Sequence, residues 1–206
     1  MTEGKENWGT YHISASLSDY EVARSNFFTF IVDDLDTLIK SDYALPAEQL
    51  QANDVIKGGQ EILKLSVSKA SVPHFSIEPI NLRRMNSVIK YAGNVSFDEG
   101  SLELDDFVGL RTKAVLMAWQ ALAYYVINDT GGRAIDYKKN CTLIEMDQAK
   151  HEINRWDLIG CWISDIKEED FDVNADGERK LNVTIQYDRA IMHNTYEDLK
   201  KKEISL

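Results

Sequence analysis

The chain has 206 residues and a mass of 23.5 kDa, enough for one large domain or two small ones. With 44% apolar and 28% charged residues its composition is globular rather than disordered, and 11 Gly and 3 Pro are too few for collagen-like or linker-like segments. Asp and Glu outnumber Lys and Arg by 34 to 23, a net charge of −11, which argues against a general nucleic-acid binder or a protein docked on anionic lipid. It leaves room for a protein that lies beside DNA without adhering to it.

The N-terminus, Met1 to Trp8, is polar and lacks the apolar core of a signal peptide, which predicts a soluble chain made in the cytoplasm. Residues 1–25 read as an N-terminal arm, 26–192 as one β domain and 193–206 as a charged C-terminal segment. Phe27–Val32 is rich in aromatic and β-branched residues and predicts a strand, closed by the acidic turn Asp33-Asp34-Leu35-Asp36. Between 40 and 60, Tyr43, Pro46, Asn53 and the Gly58-Gly59 pair break any period and predict a long loop. Leu63, Leu65 and Val67 then alternate with Lys64, Ser66 and Ser68, which predicts a strand. Two more strands are expected at Phe75–Ile80 and Val88–Phe97, separated by Asn81–Asn86.

One helix is expected over 105–128. Asp105 and Asp106 offer caps and favourable charge at its start. Phe107, Leu110, Ala114, Met117, Ala118, Ala121, Leu122 and Tyr125 recur at helical spacing, and Asn128 to Gly132 supplies turn chemistry at its end. Such a helix would be roughly 35 Å long. Its second half is apolar nearly all round, so more than one surface should cover it; the apolar run is still too short to span a membrane. Strands follow at Cys141–Gln148, at Leu158–Ile166 around Trp162, and at Leu181–Arg189. In the last, Leu181, Val183, Ile185 and Tyr187 make a dry face and Asn182, Thr184, Gln186 and Asp188 a wet one. The acidic stretch Lys167–Lys180 joins the final two as a long hairpin. The sum is a mainly β fold, an antiparallel barrel or sandwich with one prominent flanking helix.

Chemistry-bearing motifs are scarce. Cys141 and Cys161 have no CxxC or Cys/His spacing, so neither a disulfide framework nor a zinc site is expected and both read as buried thiols. Asp172-Val-Asn174-Ala-Asp176-Gly177 matches the opening of an EF-hand loop, but position twelve, which must bring a bidentate carboxylate, is Val183. A hairpin turn is the better reading, with weak cation binding by the acidic loop as the lesser alternative. No GxSxG, P-loop, GxGxxG or HExxH occurs, and His12, His74, His151 and His193 are scattered. No catalytic residue, cofactor site or metal site is therefore expected. Trp119 and Trp162 fall in apolar elements and read as core, whereas Trp8 and Trp156 have polar flanks and read as contacts with another chain.

Three stretches carry a resemblance: Arg24–Leu35; the run from Ile77–Leu82 through Ile89–Gly93, Val95–Phe97 and the helix region; and the terminal hairpin from Arg155–Asp165 to Leu181–Asp188. In their order, and most of all in the Trp-rich strand, acidic turn and alternating return strand at the end, they resemble the tail tube proteins of contractile-tailed bacteriophages. That resemblance implies hexameric rings stacked into a hollow tube inside a contractile sheath, with DNA passing down the lumen without specific binding. It implies as partners further copies of the chain, a sheath protein, and baseplate and tube-terminator proteins, in a virion tail assembled in the host cytoplasm. Type VI secretion tube proteins share the architecture.

On this reading Asn182, Thr184, Gln186 and Asp188 are candidates to line the lumen, where net negative charge would let DNA slide. Trp8, Tyr43, Pro46, Gln49 and Trp156 are candidates for contacts between subunits or between rings. A baseplate tube initiator or a tube terminator of the same fold stays open, as does, from another class, a ligand-binding β-barrel module.

Overall fold

Strands with one dry and one wet face can bury their apolar side only against a second layer, and here two antiparallel sheets provide it for each other. The computed structural model describes residues 24–35, 58–108, 112–126, 129–148, 150–169 and 177–194. In chain order the elements are β1 (Phe28–Val32), α1 (Gly59–Ser66), β2 (Val67–Ala70), β3 (Phe75–Arg84), β4 (Ser87–Phe97) and β5 (Gly100–Asp105). Then come α2 (Thr112–Ala123), β6 (Tyr124–Tyr125), β7 (Thr130–Gly131), α3 (Ala134–Tyr137) and β8 (Lys139–Met146). The chain closes with β9 (Glu152–Glu168), β10 (Lys180–Gln186) and β11 (Arg189–Asn194).

The two sheets share β9, which is 17 residues long. Its first part pairs with β8 and β11, and β8 pairs onward with β1. Its second part pairs with β10, which leads to β5 and β2. The dry faces meet in one core: Phe30 and Val32 from β1, Cys141 and Leu143 from β8, Leu158 and Cys161 from β9, and Leu102, Leu104, Leu181, Val183 and Ile185 from the other sheet. Helix α2 seals this core with Val115, Leu116, Trp119 and Leu122, and Trp119 anchors its indole by donating to the Tyr137 carbonyl at 2.9 Å. Helix α1 adds Ile62 and Leu63. The buried polar side chains, Ser66 and Thr112, satisfy each other across the two helices at 2.8 Å.

The expected antiparallel fold is present, in its sandwich form without a closed barrel. Other expectations are corrected. The strand expected at Leu63–Val67 is instead α1 followed by β2: the Gly58 carbonyl accepts the Ile62 N–H, and Ile62, Leu63 and Ser66 are the residues that turn inward, leaving Leu65 exposed. Six residues of alternation do not outvote tertiary packing at that length. The expected helix over 105–128 is Thr112–Ala123, about 18 Å long; Asp105 ends β5 rather than capping a helix. Its buried stripe is Thr112, Val115, Leu116, Trp119 and Leu122, with Met117 exposed. In a segment apolar nearly all round, the face carrying the largest side chain decided which way the helix turned. The Leu181–Arg189 strand stops at Gln186, and β11 continues to Asn194, past the expected end of the β domain.

The crossover between sheets hinges on Gly160. It has φ of +72°, a conformation that costs an L side chain about 1–2 kcal/mol. A Cβ there would collide with the Asp188 carboxylate. Asp188 lies in the turn between β10 and β11, its N–H donating to Ile159 at 2.9 Å, and Lys138 Nζ grips both its carboxylate oxygens at 2.7 Å. The Gly160 N–H reaches the Asn140 side-chain oxygen at 3.3 Å. β9 and the β10–β11 segment therefore pass from one sheet to the other side by side at this point. Gly160→Ala is expected to destabilise the fold by roughly 2–3 kcal/mol from the backbone strain and the clash, whereas Asp188→Asn, on a half-exposed ion pair, should cost under about 1 kcal/mol. Urea unfolding of the two variants checks the contrast, and equal costs would contradict it.

Candidate assembly interface

Two surfaces stand apart from the rest. The first is the outward face of the sheet β2-β5-β10-β9. The pairing register puts Ser101 and Glu103 of β5, Asn182 and Thr184 of β10, and Asp165 and Lys167 of β9 side by side on this face, because directly opposed residues point the same way. Lys180 and Asp105 are opposed at its end, and Gln186 donates to Glu99 at 2.9 Å. Of the four predicted lumen residues, the structure brings Asn182, Thr184 and Gln186 together here. Asp188 is elsewhere, in the crossover turn.

The charges on this face are largely spent on one another. Lys180 Nζ meets Glu103 at 2.5 Å, and Lys167 meets Asp165 at 3.2 Å. The Lys180 hydrogen bond and charge hold the Glu103 carboxyl below its usual value, and Glu103 in turn raises Lys180. The net charge of −11 is thus not concentrated on this face. A surface of paired charges, amide and hydroxyl groups offers a passing polyanion neither a cationic foothold nor strong repulsion.

The second surface is the hairpin β3–β4. Its strands are 10 and 11 residues long and pair only with each other, so it forms a two-stranded ribbon reaching roughly 30 Å. The ribbon is longer than the strands expected at 75–80 and 88–97: Asn81–Arg84 extend β3, and the turn is only Met85-Asn86, where Met85 has φ of +55°. The missed signal was alternation, which runs on through Ile80 and Leu82 and resumes at Ile89 and Tyr91. A register shift between Ile77 and Pro79 accommodates an extra β4 residue. At the base, Phe75 opposes Phe97 and Ile77 opposes Val95, and Phe97 packs on Tyr187 with ring centroids 6.2 Å apart. Farther out, Ile80 opposes Tyr91 and Leu82 opposes Ile89, a patch on the opposite side of the ribbon with nothing of the described chain on it. Ile80, Leu82 and Tyr91 are each more than half exposed, and Met85 at the tip is 99% exposed.

Among the described residues no three His, Cys, Asp or Glu are grouped to hold a metal ion, and no helix is long and apolar enough to cross a membrane. Cys141 and Cys161 are free and buried against each other, and burial pushes the Cys141 thiol well up. A narrow crevice between the sheets, with room of only about 20 Å³, is lined mainly by Phe30, Leu102, Leu143, Leu158 and Ile185. The Ser71 hydroxyl in its wall already accepts the Ser101 N–H, so the crevice lacks the convergent polar groups of a ligand site. Trp156 is half-buried on β9 opposite Leu143 and Met192. Trp119 is core; Trp162 is half-buried with its edge against Tyr137. Trp8, Tyr43, Pro46, Gln49 and most of the Asp172–Gly177 motif lie outside the described residues.

Residues 56–190, well over half of the chain, match the family of the T4-like virus tail tube protein gp19. The chain belongs to that tail tube family. Solved structures share its fold. A chain of the sheath-tube complex of the PVC extracellular contractile injection system superposes with a TM-score of 0.58 at 17% identity, covering 89% of this chain and 99% of that one. A chain from the cap that terminates the tube of the anti-feeding prophage gives 0.56 at 14%, covering 88% and 99%. A chain from the baseplate of the same particle gives 0.53 at 12%, covering 84% and 97%. No curated protein is similar enough to count as a match. Membership in the tail tube family makes the role of the chain structural, as part of a tube.

The Glu103–Lys180 pair generates a test. A carboxylate held below its usual value adds stability above the unfolded-state value and loses it as pH falls through the folded one. Wild-type stability should therefore drop as pH falls below about 4.5, and Glu103→Gln should flatten that part of the acid limb. Thermal melting between pH 6 and 2 reads it, and an unchanged limb would contradict the assignment.

Proposed function

We propose that this chain is the repeating subunit of an inner tail tube, six copies closing a ring and rings stacking into a hollow conduit for DNA inside a contractile sheath. The observation that carries the reading is the β3–β4 hairpin. An isolated two-stranded ribbon is marginal in water, yet this one presents alternating apolar residues along its outer half with no partner among the described residues. In a protein of the tail tube family, a neighbouring copy is the partner that supplies a second layer. Such a contact joins two different patches, a heterologous interface that closes into rings or propagates as stacks.

The paired-charge face of β2-β5-β10-β9, with Asn182, Thr184 and Gln186, lines the channel on this reading. Trp8, Tyr43, Pro46, Gln49 and Trp156 serve contacts between copies, and a sheath, a baseplate and a terminator are the further partners. The protein works as a structural, non-catalytic part of a phage tail or tail-like particle assembled in the host cytoplasm. A tube terminator or initiator of the same fold is the second reading, favoured by the likeness to the anti-feeding prophage cap and baseplate chains.

Two experiments test this. Ile80→Ser with Leu82→Ser should leave the melting temperature of the isolated subunit within about 2 °C, because both side chains are exposed, and should abolish tubes; tubes of wild-type length would contradict the assignment. Thr184→Cys places one accessible thiol beside two buried ones. In assembled tubes it should react with a small maleimide and resist a polymer-bearing one too wide for the lumen, and equal reactivity with both would put this face on the outside.

A further inference from the structure

The turn between β3 and β4 goes against ordinary turn preference. A two-residue hairpin turn with a left-handed first residue favours Gly, Asn or Asp at that place, because a larger side chain is crowded by the following carbonyl. Here the place is taken by Met85, with φ of +55°. The turn closes without help from the Met85 side chain: Arg84 and Ser87 pair across it, and the Ser87 hydroxyl donates to the Arg84 carbonyl at 3.0 Å. A thioether held in a costly conformation, and packed against nothing among the described residues, points to a role outside the fold.

Met85 is also the most exposed methionine among the described residues, at 99%, against 52% for Met117 and 48% for Met192, with Met146 half-buried. A thioether is a two-electron donor to peroxides. Its sulfur lone pair attacks one oxygen of hydrogen peroxide, the S–O bond forms and the O–O bond breaks. The departing hydroxide takes the proton from the new S–OH group, leaving sulfoxide and water; sulfur is oxidised by two electrons and the peroxide is reduced. Charge separates during the step, so water around the sulfur favours it and an apolar wall opposes it. At Met85 water reaches nearly the whole side chain. Neither cysteine competes for the oxidant: Cys141 and Cys161 are buried, and burial keeps the Cys141 thiol away from its reactive thiolate form.

We propose that Met85 is a modification site: peroxide converts it to the sulfoxide ahead of Met117, Met146 and Met192, and an oxidised subunit is thereby kept out of assemblies. The consequence for assembly rests on the self-assembly reading; the chemistry at Met85 does not. Oxidation puts a strongly polar S–O group at the end of an arm whose Ile80, Leu82 and Tyr91 are apolar and exposed. On a free subunit water satisfies that oxygen. A neighbouring copy that covers the arm strips the water away and strands the oxygen in an apolar contact. The change is reversible, since methionine sulfoxide reductases return the thioether. Oxidation of the turn thus sorts damaged from intact subunits before they are built in.

The test treats the full chain with hydrogen peroxide at a dose that adds a single oxygen per chain by intact mass, and peptide mapping then ranks the sites. Met85 should carry most of the added oxygen; faster oxidation at Met117, Met146 or Met192 overturns the site. Assembly is followed by sedimentation and negative-stain microscopy, with circular dichroism to confirm that each sample is folded. Oxidised wild type should give at least about tenfold fewer tubes, the effect of stranding one polar group in a contact. A methionine sulfoxide reductase supplied with a dithiol should restore the yield. Met85→Leu has no sulfur there, so its own yield should be the same with and without peroxide. Met85→Gln, a polar stand-in for the sulfoxide, should assemble poorly with no oxidant present. Oxidised wild type or Met85→Gln that assembles like untreated wild type overturns the proposal, and so does Met85→Leu that is as sensitive to peroxide as wild type. Untreated wild type that never forms tubes overturns the self-assembly reading and the assembly consequence with it, and the peptide map then decides the site alone.

Discussion

The position where β9 leaves one sheet and enters the other governs the whole molecule. At Gly160 the backbone takes a left-handed conformation that an L side chain rarely adopts, and a Cβ there would meet the Asp188 carboxylate. That contact keeps β9 and the β10–β11 segment in step as both cross. Because the two sheets share this pair of strands, neither can slide on the other without breaking the crossover. The dry faces are thereby held in register, and so is the outward face of β2-β5-β10-β9. A rigid polar face and a rigid base for the β3–β4 hairpin follow from the same constraint, which is why a single glycine matters more than the ion pair beside it.

The exposed surface divides by purpose. On the polar sheet face lysines and carboxylates neutralise one another, Lys180 with Glu103 and Lys167 with Asp165. On the hairpin Arg83, Arg84 and Lys90 form no ion pair among the described residues, and apolar residues accompany them. A surface meant only for water would spread its charges and avoid apolar ribbons, since an unpaired ribbon invites association. A tube subunit needs both kinds of surface: one that nothing adheres to, and one that neighbours must cover. Burying the apolar stripe of the hairpin also gives a reason for its length, because short ribbons offer too little area to hold a neighbour.

Legibility in the sequence followed the strength of the local pattern. The clean alternation of Leu181, Val183 and Ile185 with Asn182, Thr184 and Gln186 located β10 and its two faces correctly, because period-two patterning maps directly onto a sheet with one wet side. Phe27–Val32 and the burial of Cys141, Cys161 and Trp119 were equally readable. Alternation over 63–67 misled, since Ile62, Leu63 and Ser66 also suit a helix and packing against α2 settled the matter. The 105–128 helix was overlong because its second half is apolar nearly all round, so no stripe marked its end, and because Asp105 and Asp106 suit a helix cap although Asp105 closes β5. The crossover at Gly160 was invisible: a glycine inside a strand pattern signals a bend, but Asp188 as its partner comes from a turn 28 residues away. The exposure of the hairpin's apolar residues was not legible for a related reason, since exposed apolar alternation reads the same as buried alternation until the fold shows what lies opposite.

The central question is whether copies of this chain build a tube. Negative-stain microscopy of the purified protein, with native mass measured on the same sample, decides it most directly. Rings with sixfold symmetry, or hollow tubes of stacked rings growing from preformed tube ends, are the predicted result. A strictly monomeric particle that never adds to tube ends at any protein concentration would contradict it.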